Sequence, residues 1–274
     1  MTDKAELFRS LHQGSPILLL PNAWDAATAR VFEHAGFPAV ATTSAGVAAA
    51  LGYPDGGVVP PNEMIQAIGR IARAVEVPVT ADIEYAYGAT PDASADVVLR
   101  VIAAGAVGIN IEDYVPGAAD LEPISLQADK IKTVIKAAST AGVRVVVNAR
   151  TDVFLRQIGE PSRRLESAIE RGNAYRNAGA DCVFVPGVAD APTIGALVTG
   201  IAGPVNILAV AGSPPVSDLE QLGVARVSLG SGPMRASLAL VRRVAHELRA
   251  RGTYEGFTAD ALEYAELNEL MREA

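Results

Sequence analysis

The chain has 274 residues, of which half are hydrophobic and only 5% aromatic, and it carries a formal net charge of -8. This composition excludes a disordered chain and asks for a core of Ala, Val, Ile and Leu, while negative charge spread along the sequence argues against a nucleic-acid partner. One cysteine, Cys182, excludes an internal disulfide framework, and the first fourteen residues lack the apolar core of a secretion signal, so a cytoplasmic protein is expected.

In chain order, the first predicted strand is Ile17 to Leu20, followed by Pro21, Asn22, Ala23, Trp24 and Asp25. Trp24 reads equally well as a pocket wall and as ordinary packing. Ala39 to Thr42 is the second strand and leads into Thr43, Ser44, Ala45 and Gly46. The next helix places Met64, Ile68 and Ile71 on one face, with Glu63, Arg70 and Arg73 elsewhere. Pro78 to Asp82 is the third strand and Gly108 to Ile111 the fourth. The apolar run Val97 to Ile111 is interrupted by Arg100 and Asn110 and is too short for a bilayer, so no membrane partner is expected. Arg144 to Asn148, Cys182 to Val185, Asn206 to Ala209 and Arg226 to Ser228 complete eight strands.

A recurring junction ties these pieces together. A helical segment ends in a small or apolar residue plus glycine and runs into a strand at Gly36, Gly105, Gly142, Gly179 and Gly223. Glycine past a helix closes the last turn in the left-handed conformation. Eight such βα units, with no linker dividing them, predict an α/β fold: a single-domain (β/α)8 barrel over residues 1–253. Residues 254–274 read as a helical extension with Leu262, Leu267 and Leu270 as apolar contacts, packing on the barrel or on a neighbouring subunit.

In such a barrel the chemistry sits at the C-terminal ends of the strands. Asp82 and Glu84 follow the third strand, where alternation points both carboxylates the same way, and Glu112 and Asp113 follow the fourth. Converging carboxylates repel unless a cation sits among them, and oxygen donors without a His or Cys cluster suit Mg2+, with Mn2+ as the other hard candidate. Arg150, after the fifth strand, has the fork to hold a substrate carboxylate, although pairing with Asp152 is the plainer reading. Any one of the four acids reads equally well as a helix cap. The piece from Gly230 to Arg235 reads either as a turn or as an anion site at a helix N-terminus. Cys182 reads as core, and His12, His34 and His246 as surface or helix-end residues.

Ser44-Ala45-Gly46, Leu51-Gly52-Tyr53-Pro54-Asp55, the run from Ala81 to Gly88, Ile109 to Asp113 and Asn148 to Asp152 resemble, in order and spacing, the isocitrate lyase and phosphoenolpyruvate mutase superfamily. The resemblance covers roughly Ile17 to Arg235. It implies Mg2+ held by Asp82, Glu84 and Glu112 directly or through water, with Asp55 nearby. It implies ligand donors from Ser44, Ala45 and Gly46, a substrate carboxylate on Arg150, and Asn206 and Arg235 completing the pocket. It also implies exchange of the last helices between subunits, hence a homo-oligomer, dimer or tetramer. Two departures stand out. Glu84 replaces a second Asp common in the metal motif. The mobile loop from Tyr114 to Pro123 lacks the Lys/Arg-Cys-Gly-His stretch of the isocitrate-cleaving members and the Lys and Asn-Ser features of the phosphonate members.

The expected function is a metal-dependent carbon–carbon lyase. It would act on a small 2-oxo or 2-hydroxy di- or tricarboxylic acid through an enolate, with Asp55, Glu112 and Arg150 as the catalytic set. The alternatives are a phosphonopyruvate-type P–C enzyme and a catalytically impaired 2-oxo acid binding barrel.

Overall fold

A computed structural model describes residues 2–13 and 16–272, and within them it forms one parallel sheet curled into a nearly closed (β/α)8 barrel with extra helices. Its strands are β1 (Leu18–Leu20), β2 (Asn22–Ala23), β3 (Val40–Thr42), β4 (Val79–Asp82), β5 (Gly108–Glu112), β6 (Val146–Arg150), β7 (Cys182–Phe184), β8 (Val205–Leu208) and β9 (Arg226–Ser228). Nine segments stand where eight were predicted because Asn22–Ala23, read as loop after the first strand, pairs as a short strand of its own. β1 pairs with β9 and β2 pairs with β3, with only Pro21 between them. Proline has no N–H for a ladder, so the break falls where the chain changes partners. The Pro21 carbonyl still accepts from the Ala41 N–H at 2.8 Å.

The surrounding helices are α1 (Thr2–Ser10), α2 (Ala26–His34), α3 (Ser44–Leu51), α4 (Pro61–Ala74), α5 (Pro91–Ala103), α6 (Ile124–Thr140), α7 (Arg164–Asn177), α8 (Ala191–Gly200), α9 (Val216–Gln221), α10 (Gly232–Arg251), α11 (Glu255–Thr258) and α12 (Tyr264–Arg272). All five junction glycines have positive φ, from 81° at Gly142 to 111° at Gly105, which is the helix-closing role read from the sequence. Side chains cap several helix starts: Asp25 forms a capping box with Thr28, Thr90 accepts from the Ala93 N–H, and Asp190 accepts from the Thr193 N–H. α4 buries Met64, Ile68 and Ile71 as its periodicity requires.

The barrel interior is less apolar than composition suggests. Asn148, Asn206 and Arg226 are fully buried, and Asn110 is 3% exposed. The Asn148 amide donates to Asn110 Oδ1 at 2.8 Å, the Arg226 guanidinium reaches the same oxygen, and Arg226 Nε donates to Ser228 Oγ at 3.2 Å. His12, expected at a surface or helix end, is buried after α1: its ring bonds the Phe8 carbonyl at 2.8 Å, and it feels the charge of Arg226. Its place after a short amphipathic helix hid this. Cys182 lies in the core, as expected.

At the other end of the chain, α12 packs on α2, with Leu270 buried and its carbonyl accepting from Arg30 Nε at 2.8 Å. Leu262 and Leu267 are exposed, so only one of the three expected apolar contacts is made within this chain. Among the described residues no helix is long and apolar enough to cross a membrane.

Candidate acid-binding site at the barrel mouth

Asp82 ends β4 and is fixed before any ligand arrives. Its Oδ2 accepts both the Ser44 N–H (3.0 Å) and the Ser44 hydroxyl (2.8 Å), and its own N–H donates to Thr42 Oγ1 (2.9 Å). Asp82 Oδ1 is buried without a partner. The Ser44 donors, expected to meet a ligand, are therefore spent on orienting Asp82. Gly46 is required by packing, since a Cβ there would sit 2.9 Å from Trp24 Cβ. Ala45 between them is half-buried.

Glu84 reaches the same region by a route that strand alternation does not describe. β4 has already ended, and Glu84, Ala86 and Tyr87 all take the left-handed conformation, with φ of 52°, 63° and 52°. Three such non-glycine residues in four positions are strained, and they persist because the neighbourhood holds them. The Glu84 carbonyl accepts from the Glu112 N–H at 2.9 Å, and the Tyr87 hydroxyl donates to the Glu84 carboxylate at 3.4 Å. Glu84 Oε2 is buried and unpartnered. Burial, reinforced by Asp82 and Asp55, pushes the Glu84 carboxyl up to about 7. Asp55 itself is exposed in the α3–α4 loop. In that loop Gly57 (φ 72°) lies so close that a Cβ would be 3.3 Å from Glu84 Oε2 and 3.0 Å from Pro116.

Glu112 ends β5 in register with Arg150 on β6, and their side chains pair at 2.7 Å. Burial raises the Glu112 carboxyl, and Arg150 opposes it. Arg150 is bidentate on Asp152, Nε at 2.6 Å and Nη2 at 2.9 Å, so the plainer reading of this arginine is realised together with its place at the mouth. Burial disfavours its charge, but Glu112 and Asp152 outweigh that and hold it protonated.

Other candidates lie elsewhere. Asp113, read with Glu112 as part of the acidic set, faces outward to α7, fully buried against Tyr175 and Arg171. Successive residues at a strand end point to opposite sides, which separates the two. Asn206 is sealed in the barrel interior and bonds Ser228 Oγ at 3.0 Å. Arg235, in the first turn of α10, is exposed and makes none of the described bonds of the carboxylate cluster. At Gly230 the turn reading is met, because the Leu229 and Gly230 amides both donate to Asn22 Oδ1 at 2.8 Å. Trp24 lines an outer groove with Val47, Leu51 and Met271, not the mouth. Arg171, Tyr175 and Arg226 were not singled out from sequence, since the first two sit in a polar helix that reads as a solvent face.

Two orphaned buried carboxylate oxygens, on Asp82 and on a Glu84 whose proton affinity Asp82 raises, form a donor set suited to a hard divalent cation. Among the described residues no three His, Cys, Asp or Glu side chains are already drawn together as direct ligands.

The parallel barrel with carboxylates and an arginine at the C-terminal ends of its strands agrees with comparisons to known proteins, which put the chain in the phosphoenolpyruvate mutase/isocitrate lyase superfamily, a group of enzymes. Within it, the chain belongs to the phosphoenolpyruvate phosphomutase family, whose model matches residues 8–249. It is similar to a Burkholderia cenocepacia J2315 protein whose class is given only as lyase/mutase: 35% identity, TM-score 0.91, 98% of this chain and 95% of that one covered. It is also similar to the oxaloacetate decarboxylase of Rhodopseudomonas palustris BisB5, 28% identical over 88% of this chain and 83% of that protein. Phosphonopyruvate hydrolase, solved in complex with oxalate and Mg2+, is 26% identical with a TM-score of 0.86, covering 100% and 96% of the two chains.

Proposed function

We propose that the chain is a Mg2+-dependent carbon–carbon lyase acting on a small 2-oxo or 2-hydroxy di- or tricarboxylic acid of the oxaloacetate or isocitrate type. The observation that carries this reading is the juxtaposition of the unpartnered Asp82 Oδ1 and Glu84 Oε2 with the Arg150–Glu112 pair. Asp82, Glu84 and Glu112 would hold Mg2+, directly or through water. Bound there, the metal would supply Lewis acidity to a substrate carboxylate and the adjacent oxo oxygen.

The remaining work falls to the chain itself. Ser44 fixes the Asp82 carboxylate, so little reorganisation is needed on binding. Asp152 holds the Arg150 fork by Nε and Nη2, which fixes Nη1 beside Glu112, where its second N–H would be available to a substrate carboxylate. Glu112 is buried and the Arg150 side chain largely so, which keeps the electrostatics strong as the C3–C4 bond of an oxaloacetate-like acid breaks, CO2 leaves and the electron pair passes to the 2-oxo group as an enolate. The loop from Tyr114 to Pro123 brings no cysteine, histidine or lysine to this step.

The test is to incubate the protein with Mg2+ and separately with oxaloacetate, isocitrate, methylisocitrate, malate-type acids and phosphonopyruvate, following products by NMR. Metal-dependent cleavage of one carboxylic acid, lost in Asp82→Ala, is the expected result; cleavage that survives Asp82→Ala would sink it. A second reading, P–C bond chemistry, is favoured by the description of the matching family model, and release of phosphate from phosphonopyruvate would select it.

We also propose that the protein is a homo-oligomer in which the 254–274 extension and α10 meet a second copy. α10 packs along the short α11 and leaves Leu238 (54%), Val241 (61%) and Leu248 (46%) exposed, more apolar surface than a lone helix face tolerates in water. Sedimentation should show a dimer or tetramer that Val241→Glu weakens; a native monomer at micromolar concentration would remove the proposal.

A further inference from the structure

The β5–α6 loop and the segment carrying Arg150 are joined from outside the barrel by one face of α7, and Asp113 is the joint. Tyr175 donates its hydroxyl to Asp113 Oδ2 at 2.7 Å, and Arg171 Nη1 donates to the same oxygen at 3.1 Å. That Nη1 also donates to the Glu122 carbonyl at 2.9 Å, at the far end of the loop. The Glu122 N–H closes the stem onto the Asp113 carbonyl at 2.8 Å. On its inner side Asp113 Oδ1 accepts the Asp152 N–H at 3.0 Å, and the Asp152 carboxylate is the group that holds Arg150. A second link runs between the same two segments: Arg156 lies 4.2 Å over the Tyr114 ring and donates to Asp152 Oδ2 at 3.4 Å.

We infer that Arg171 and Tyr175 are positioning residues, which act through Asp113 and Asp152 to hold the Arg150 guanidinium and the 114–121 loop as one unit. An anchor for α7 alone needs no bond to both ends of a neighbouring loop. Here one guanidinium nitrogen serves both ends, and the carboxylate it grips turns its other oxygen to the backbone of the residue that orients Arg150. Displacing Arg171 therefore frees the loop stem and the Asp152 backbone together. The inference rests on the reading of Arg150 as the acid-binding group.

The experiment compares Arg171→Gln, Arg171→Lys and Tyr175→Phe with the native protein. It measures oxalate affinity in the presence of Mg2+, kinetics on whichever acid is turned over, thermal midpoint, and amide hydrogen exchange over 114–121 and 150–156. Arg171→Gln should weaken oxalate binding about tenfold and raise KM more than it lowers kcat, the lower end of the scale for losing a group that orients a binding residue. Exchange should quicken in both segments at once, and Arg171→Lys should recover part of each effect. Tyr175→Phe should move the same readouts less. A lowered midpoint with unchanged oxalate affinity and unchanged exchange in the two segments would overturn the inference, as would exchange that quickens in the loop alone. If the native protein neither binds oxalate nor cleaves any acid, the lyase reading falls, and the paired exchange response still decides whether the two segments are coupled.

Discussion

One Asp82 oxygen accepts from Ser44 and the other has no hydrogen-bond partner, and that division makes the serine measurable. Ser44→Ala removes the hydroxyl and leaves the backbone N–H, so Mg2+ affinity should fall by about ten- to a hundredfold, the worth of one hydrogen bond to a charged acceptor. Titration calorimetry with Mg2+ checks this. His12 offers a second residue-scale prediction, concerned with stability. Burial, with the charge of Arg226 adding to it, lowers its pKa from 6.5 to about 3. Between these values the unfolded chain binds a proton that the folded chain refuses. Stability is therefore fully present above about pH 6.5 and declines by up to about 1.4 kcal/mol per pH unit as acid is added. The urea midpoint against pH should be flatter in His12→Gln than in the native protein; parallel curves would contradict the burial argument.

At the scale of elements, the left-handed residues show where sequence reading stopped. The five helix–strand glycines were legible because glycine and that conformation go together. Asp82, Glu112 and Arg150 were legible because strand ends in a barrel can be counted. Glu84, Ala86 and Tyr87 adopt the same conformation without glycine, and only tertiary contacts make them do so, so the path of this segment was not. Asp113 was misread for a related reason, since which side of a strand end a residue faces depends on where pairing stops. Gln157 gives the test of local strain: it is exposed at φ 56°, and Gln157→Gly should stabilise by about 0.5–1 kcal/mol in a denaturation curve. Gly57→Ala should act in the opposite sense. Its Cβ would press on Tyr85, Pro116 and Glu84, so turnover should fall severalfold, with most of the loss in metal affinity.

For the whole molecule, eight βα units closing into a barrel were readable from periodicity, but the side chain that ties the closing seam beside the β1–β9 pairing was not. Asn22 accepts the Leu229 and Gly230 amides and donates to the Thr42 carbonyl at 2.8 Å, clasping the last strand's exit to β3. Asn22→Ala leaves those buried groups unsatisfied and should cost about 1–3 kcal/mol, read as a lower denaturation midpoint. The split at Pro21 carries a further consequence, for biosynthesis. Leu18 finds its sheet partner in Arg226, and Asn22 and Gly230 are 208 positions apart, so β1 stays without its sheet partner until β9 has been made. β1 is then an exposed apolar edge throughout translation, and a ribosome stalled before β9 should release a chain that chaperones hold rather than one that folds.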